Sequence, residues 1–212
     1  MNYWKLFLIF FITELIIFAG VSSLHISNSS LLSSFSQQRN SIVSEPYVDM
    51  LMSIFLHNLL VATIEFVPII GVIFFIVSIA STGLVVAVEG TAAKIPGIAI
   101  FAELMTLPHS WLELPAYAVA TASTVYLFTH LSNLKETFYK ILTFWGFVAL
   151  ELFIAATFES AEIVVESSNI LLSYVFWIPA IPVIYLLYKL LRKIDSPKRK
   201  QELPLQNIYN QW

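Results

Sequence analysis

Long apolar runs alternate with short polar stretches along the chain. A helix needs about 20 apolar residues to cross a bilayer. The segment 48–89 is long enough for two such helices and is broken at "IEFVPIIG", where Pro68 and Gly71 predict a turn. The other runs of this length are 3–24, 111–131, 138–160 and 170–191. The pattern predicts an all-α polytopic bundle of about six transmembrane helices.

One apolar run is too short to cross. Residues 98–107 offer only ten positions between the polar stretch "EGTAAKIPG" and the motif that follows. We expect this piece to form a short half-helix that is re-entrant or interfacial, because irregular backbone at membrane depth has to be covered by protein.

Four regions follow from this pattern. Residues 1–24 form an N-terminal transmembrane anchor, since the run is long for a signal peptide and Glu14 interrupts it. Residues 25–47 are rich in Ser, Asn and Gln, which predicts a polar extracytoplasmic loop. Residues 48–191 form the membrane helix bundle, and residues 192–212 form a basic tail.

Composition confines the chain to the membrane. Of its 212 residues 58% are hydrophobic and 12% are charged, with a mean hydropathy of +0.80. A soluble domain carries about 25% charged residues, so the expected surroundings are a lipid bilayer. The absence of cysteine excludes disulfides and thiol chemistry.

The basic residues are unevenly distributed although the net charge is only −3. Six of the eleven Lys and Arg residues lie between Lys189 and Lys200. Positive residues beside a membrane helix mark the cytoplasmic side. We therefore expect a multi-pass protein of the cell membrane with both termini in the cytoplasm, and no nucleic-acid partner, because topology already explains the basic tail.

Acidic residues and histidines interrupt the apolar runs. They are Glu14, Glu65, Glu103, Glu113, Glu151, Glu159, His57 and His109. Lys94 is the only cation between residues 40 and 134. Charges at membrane depth are costly and indicate function by default. For Glu65, Glu89, Glu162 and Glu166 we favour a position at headgroup depth, where a carboxylate costs little.

The motif "LPHSWLELPAY" places Pro108, His109, Glu113 and Pro115 within eight positions. His109 and Glu113 are four apart and share a helix face. Three interpretations stay open: a metal site completed by Glu103, Glu151 or Glu159; a proton or ion relay; and a structural role in which the two prolines lie at a helix start. The structural role is favoured, and the metal site is the weakest because a second ligand motif is missing.

Small residues follow the motif and recur later. Ala116/Ala120 and Ala118/Ala122 are spaced to let two membrane helices approach closely, and Ala155, Ala156 and Ala161 surround Glu159. We expect these two helices to pack together and to bring Glu113 beside Glu159 or Glu151.

Three segments resemble the stage II sporulation protein M family. They are "LHNLLVATIEFVPIIGV" (56–72), "LPHSWLELPAYAVATA" (107–122) and "LFIAATFES" (152–160). The resemblance carries over Asn58, Pro108, His109, Glu113, Pro115, Ala116 and Glu159. His57, Ser110 and the pair Glu89–Gly90 depart from the family's pattern, which suggests a divergent, archaeal-type member.

The resemblance implies a membrane component with protein partners, since the bacterial member acts in engulfment together with cell-wall hydrolases. We expect a non-enzymatic scaffold or remodelling component, or a subunit of a membrane complex, with protein partners or a homo-oligomer. The alternative is a permease or channel-like subunit that moves protons or ions. An intramembrane metal-dependent hydrolase is the least favoured alternative, because the chain shows no Ser–His–Asp, paired-Asp or His-rich metal signature, so no catalytic residue, metal or cofactor is expected. Without a Walker A or GxGxxG motif, any energy would come from a partner or a gradient. The polar cluster predicted to organise the bundle is His109, Glu113, Glu159, Glu151, Glu103 and Asn58.

Overall fold

A computed structural model of the chain describes residues 2–130, 134–166 and 169–196, and all regular structure within these ranges is helical. The α-helices are α1 (Tyr3–Ser22), α2 (Ser29–Val43), α3 (Tyr47–Glu65), α4 (Ile70–Ala93), α5 (Gly97–Leu104), α6 (Ser110–Thr129), α7 (Leu134–Glu166) and α8 (Trp177–Asp195). A 3₁₀ segment, Ile170–Phe176, precedes α8. The all-α prediction is confirmed.

Five helical segments in the described ranges are long and apolar enough to cross a membrane. They are Tyr3–Ser22, Tyr47–Glu65, Ile70–Ala93, Lys135–Glu166 and Ile170–Asp195. Helix α6, the remaining predicted span, has 20 residues but a more polar composition, and eleven of them are buried. It contacts α1, α3, α4 and α7. A helix enclosed by protein needs no lipid-facing apolar side chains, which explains why α6 falls outside the five.

Both ends of the described chain meet at one end of the bundle. The ring of Tyr3 stacks on Phe144 with centroids 4.4 Å apart. Lys140, on the same turn of α7 as Phe144, places its Nζ 2.7 Å from Oδ1 of Asp195 at the end of α8. We call this the terminal end, and the opposite end, where α1 finishes at Ser22, the loop end.

Contacts along the helices give their directions. Helix α4 runs parallel to α1, since Phe75 packs on Phe10 and Thr91 accepts a hydrogen bond from the backbone of Ile26. Helix α6 runs opposite to α1, because Trp111 packs near Phe11 whereas Ser123 is hydrogen-bonded to Tyr3. Helices α3 and α7 are likewise antiparallel, as the bonds Tyr47–Thr157 and Trp145–Thr63 establish.

The short helix α5 stays at the loop end, as a half-helix must. Its first residue, Gly97, is buried against the carbonyl of Ser22 and the backbone of α4 at Ala87. A side chain at Gly97 would collide with that carbonyl, so the glycine permits the close approach. Helix α5 therefore links the end of α4 to the start of α6 without crossing.

Two regions differ from the sequence prediction. The polar segment 25–47 contains α2, which begins where the side chain of Asn28 accepts a hydrogen bond from the backbone of Leu31. Its residue Ile42 packs on the bundle, while none of its side chains is fully buried. The predicted polar segment thus contains a helix, because a capped helix with one apolar stripe can form without a core of its own.

Helix α7 is longer than the predicted span 138–160. It begins at Leu134 and continues to Glu166, beyond both ends of that span. The extra turns bring Glu162 into the interior. The predicted tail 192–212 begins within α8, and its residues 197–212 lie outside the described ranges.

Candidate functional site

His109 lies in a firmly held turn immediately before α6. The hydroxyl of Ser110 donates to the carbonyl of Leu104 at 2.8 Å, and Nε1 of Trp111 donates to the carbonyl of Met105 at 2.9 Å. The backbone of Glu113 donates to the carbonyl of His109 at 2.9 Å, so His109 forms the first turn of the helix. Pro108 is buried beside it. This placement fits a proline at a helix start.

The direct partner of His109 is Glu162 on α7. Nδ1 of His109 makes a buried, hydrogen-bonded ion pair with Oε2 of Glu162. The second oxygen of Glu162 has no hydrogen-bond partner among the described residues. The pair ties the turn before α6 to the last part of α7 at the loop end.

Glu159, a member of the predicted polar cluster with His109 and Glu113, lies beside this pair rather than in it. It is three residues before Glu162 on α7 and therefore on the same side of the helix. The charges of His109, Glu113 and Glu162 all act on Glu159. The structure thus brings Glu113 and Glu159 into one region, and gives His109 a hydrogen bond to Glu162.

Glu113 also belongs to a second group of acids. Its Oε1 accepts a hydrogen bond of 2.9 Å from the hydroxyl of Tyr117, one turn further along α6. The charges of Glu113 and Glu65 act on Glu14, and those of all three act on Tyr117. We call Glu14, Glu65, Glu113 and Tyr117 the inner acid cluster.

Glu14 and Glu65 are the most enclosed members of the inner acid cluster, each 1% exposed. Glu65 accepts hydrogen bonds from the hydroxyls of Ser78 at 3.3 Å and Thr121 at 3.4 Å. Neither carboxyl oxygen of Glu14 has a hydrogen-bond partner in the described part of the chain. Burying an unpaired polar group costs several kcal/mol, on the order of 2–7, so this position is expensive.

A strained turn fixes Glu65. Ile69, which follows Pro68 in the turn between α3 and α4, has a φ of 68°. A β-branched residue adopts positive φ only at a cost of about 1–3 kcal/mol. Gly71 packs directly on the backbone carbonyl of Glu65, where a side chain would collide. The tight turn therefore holds the last residue of α3 against the start of α4.

The other predicted site residues lie elsewhere. Glu151 is buried on α7, with one carboxyl oxygen unpaired among the described residues. It is eleven residues before Glu162, about 16 Å along the helix at 1.5 Å per residue. Asn58 is buried on α3, two turns before Glu65. Glu103 is exposed on α5, so the structure does not bring it into the predicted cluster.

Pro115 is the sixth residue of α6 and half-buried. It stands one turn deeper in the helix than a start position. Having no N–H, it leaves the carbonyl four residues earlier, at Trp111, without the usual helical donor. The prediction of a proline near the helix start holds for Pro108 better than for Pro115.

Glu65 and Glu162 belong to the interior of the bundle, where they are 1% and 2% exposed, and the expectation that they lie at headgroup depth stays a prediction. The spacing of Glu162 from Glu159 was the available signal, because residues three apart share a helix face. Glu14 was noticed as an interruption of the first apolar run, but nothing in its spacing pointed to Glu65 or Glu113.

The acids around His109 do not form a metal site in the described part of the chain. Within the described ranges, no group of three His, Asp or Glu side chains is arranged so that it could hold a metal ion. His109 lies close to several acids, but its Nδ1 is already engaged in the hydrogen bond to Glu162.

Apolar helices of membrane-spanning length around an acidic interior define a polytopic integral membrane protein. The family described as Stage II sporulation protein M matches residues 6–161, well over half of the chain. The chain belongs to this family, and the resemblance seen in the sequence is confirmed. It matches no curated protein and no solved structure.

Proposed function

We propose that this protein is a non-enzymatic scaffold or remodelling component of the membrane, or a subunit of a membrane complex. The observation that carries this proposal is the buried pair of His109 and Glu162, which joins α6 to α7. Removing one partner of a buried ion pair typically costs about 3–5 kcal/mol. A bundle held this way presents fixed outer surfaces to partners.

Close packing of α6 on α7 supports the same role. Ala116, Ala120 and Ala155 are buried in one core cluster to which both helices contribute. Small residues allow the backbones to approach, which favours a rigid pair of helices over a mobile one. A scaffold needs such rigidity, because its partners recognise a constant shape.

Co-purification tests the scaffold proposal. The full chain would be isolated from its native membrane in mild detergent, together with His109→Ala and the matched control Glu103→Ala, which changes an exposed residue of α5. We expect partner proteins to co-purify with the unchanged chain and the control in fixed stoichiometry, and to be lost with His109→Ala. Isolation of the unchanged chain alone, in the mildest detergent, would contradict the proposal.

The second candidate function is movement of protons or ions by a permease or channel-like subunit. Glu14 favours it: a carboxyl group buried without a partner adds nothing to a rigid scaffold. Purified protein in vesicles of phosphatidylcholine and phosphatidylglycerol, with a pH-sensitive dye inside, tests this function. An imposed potential should drive a change of internal pH that Glu113→Gln abolishes and Glu103→Gln preserves. Vesicles that behave like empty ones would remove this candidate.

A further inference from the structure

We infer that the inner acid cluster is a proton-binding site inside the membrane, in which Glu14, Glu65 and Glu113 share exchangeable protons. This inference rests on the second candidate function and deepens it, because it names the bound species and the residues that hold it. It requires only that protons bind and exchange at this site. Net movement across the membrane is a separate property.

Glu14 is the observation that points to a ligand. It is buried on α1, its two oxygens are unpaired in the described part of the chain, and the nearest charges that act on it belong to Glu65 and Glu113. An isolated carboxylate in such surroundings lacks both a hydrogen-bond donor and a counter-charge. A proton on one of these acids supplies both.

The surrounding helices bring acids and hydroxyls to the cluster. Helix α3 contributes Glu65, α4 contributes the hydroxyl of Ser78, and α6 contributes Glu113, Tyr117 and Thr121. No lysine or arginine of the described ranges acts on Glu14 or Glu65. Glu14 and Glu65 thus lie in one buried region without a basic side chain acting on either, so their charge has to be balanced by bound protons or another cation.

Hydrogen-bonding hydroxyls make the proton the species that fits. Tyr117 donates to Glu113, and Ser78 and Thr121 donate to Glu65, at 2.9 to 3.4 Å. Each hydroxyl can donate one hydrogen bond and accept another. In an exchange step one O–H bond of a carboxylic acid breaks and one forms on a neighbouring carboxylate, with no electron transferred.

The cluster borders the pair of His109 and Glu162. Glu113 lies one helical turn after His109, and its charge acts on His109 together with those of Glu159 and Glu162. The titratable groups therefore form a line from Glu65, where α3 ends near the terminal end, to Glu162 near the loop end. Glu113 connects the two parts of this line.

Infrared spectroscopy of the purified, reconstituted full chain tests the site. A protonated carboxyl group absorbs separately from a carboxylate, so its titration can be followed as the pH is raised. We expect a carboxylic acid band in the unchanged protein that is lost at alkaline pH. Glu14→Gln should remove part of this band, and the control Glu103→Gln should leave it intact.

Two further measurements keep the inference falsifiable. If Glu14→Gln does not fold, Tyr117→Phe retains every carboxyl group but removes the hydrogen bond to Glu113, and it should shift the band. Titration with sodium chloride at constant pH distinguishes a proton site from a metal-cation site, and no change is expected. Identical spectra in the unchanged protein and the folded variants, or loss of the band on adding sodium, would overturn the inference.

These outcomes are separable from those of the proposed function. A titrating band in vesicles that show no flux would retain the proton site and remove transport. Flux without a band sensitive to Glu14 or Tyr117 would retain transport and remove this site. The scaffold proposal is tested separately by co-purification. If partners co-purify with Glu14→Gln, that proposal stands whatever the infrared and flux measurements give.

Discussion

At the scale of single residues, the interior is organised by acids rather than by a catalytic constellation. His109 has a direct partner in Glu162, whereas Glu14 has none within the described ranges. The same residue type therefore serves two purposes. Glu162 fixes a helix, and Glu14 keeps a costly position that packing alone does not explain.

We predict that His109→Ala lowers the free energy of unfolding by about 3–5 kcal/mol, because Glu162 is left buried without its partner. Denaturation of the detergent-solubilised protein measures this loss. Glu103→Ala is the control and should be nearly neutral, since Glu103 is exposed. Equal stability of the two variants would show that the pair contributes nothing.

A double-mutant cycle identifies the partner of His109. The coupling energy between His109→Ala and Glu162→Gln should exceed the coupling between His109→Ala and Glu159→Gln, because only Glu162 is hydrogen-bonded to His109. Chemical denaturation of the unchanged protein, the three single variants and the two double variants gives these energies. A larger coupling with Glu159 would contradict Glu162 as the partner.

At the scale of elements, the sequence predicts the apolar helices better than the polar segments that connect them. Apolar run length was sufficient for α1, α3, α4 and α8, and the break at Pro68 was placed correctly. Run length could not predict α2, whose formation depends on the cap at Asn28 and on packing against α3 and α4. The predicted span ends at residue 160 because polar and acidic residues follow, but α7 continues to Glu166 and the bundle buries Glu162.

The same limit applies to the site. His109 and Glu113 could be placed on one helix face from their spacing, and the small residues correctly predicted that α6 packs on α7. His109 bonds to Glu162 and not to Glu159 because of how α7 is rotated against α6. Glu14 lies near Glu65 because of the depth at which α1 and α3 pack, and these helices are distant in sequence. Periodicity within one helix carries no information about either.

The seam between α6 and α7 should be sensitive to volume. Ala120→Leu places three extra carbon atoms where α6 is fully buried, and overpacking costs about 1–3 kcal/mol. Ala102→Leu, the same substitution at an exposed position of α5, is the matched control. Thermal unfolding in detergent should show a loss for Ala120→Leu alone, and an equal effect at both positions would argue against a tight seam.

At the scale of the whole molecule, the helices traverse the bundle so that α1 begins and α8 ends at the terminal end. Lys140 strengthens this end, since its ammonium lies 4.7 Å from the ring centroid of Tyr126 and also pairs with Asp195. The two ends of the described chain, Tyr3 and Asp195, therefore lie at the same end of the bundle. The positive-inside rule proposes the cytoplasmic side for both.

Thiol labelling in intact cells tests this orientation, and the lack of native cysteine keeps the background low. Ser34→Cys on the exposed part of α2 should react with an impermeant maleimide from outside. Lys135→Cys, exposed at the start of α7, should react only after the membrane is permeabilised. The reverse pattern would invert the proposed topology.

The start of α6 meets the last part of α7 inside the bundle. Crosslinking in native membranes with a short bifunctional thiol reagent tests this contact most directly. The double variant His109→Cys/Glu162→Cys should crosslink efficiently, whereas His109→Cys/Glu151→Cys should not, because Glu151 lies about 16 Å away along α7. Crosslinking of the second pair as efficient as that of the first would contradict this arrangement.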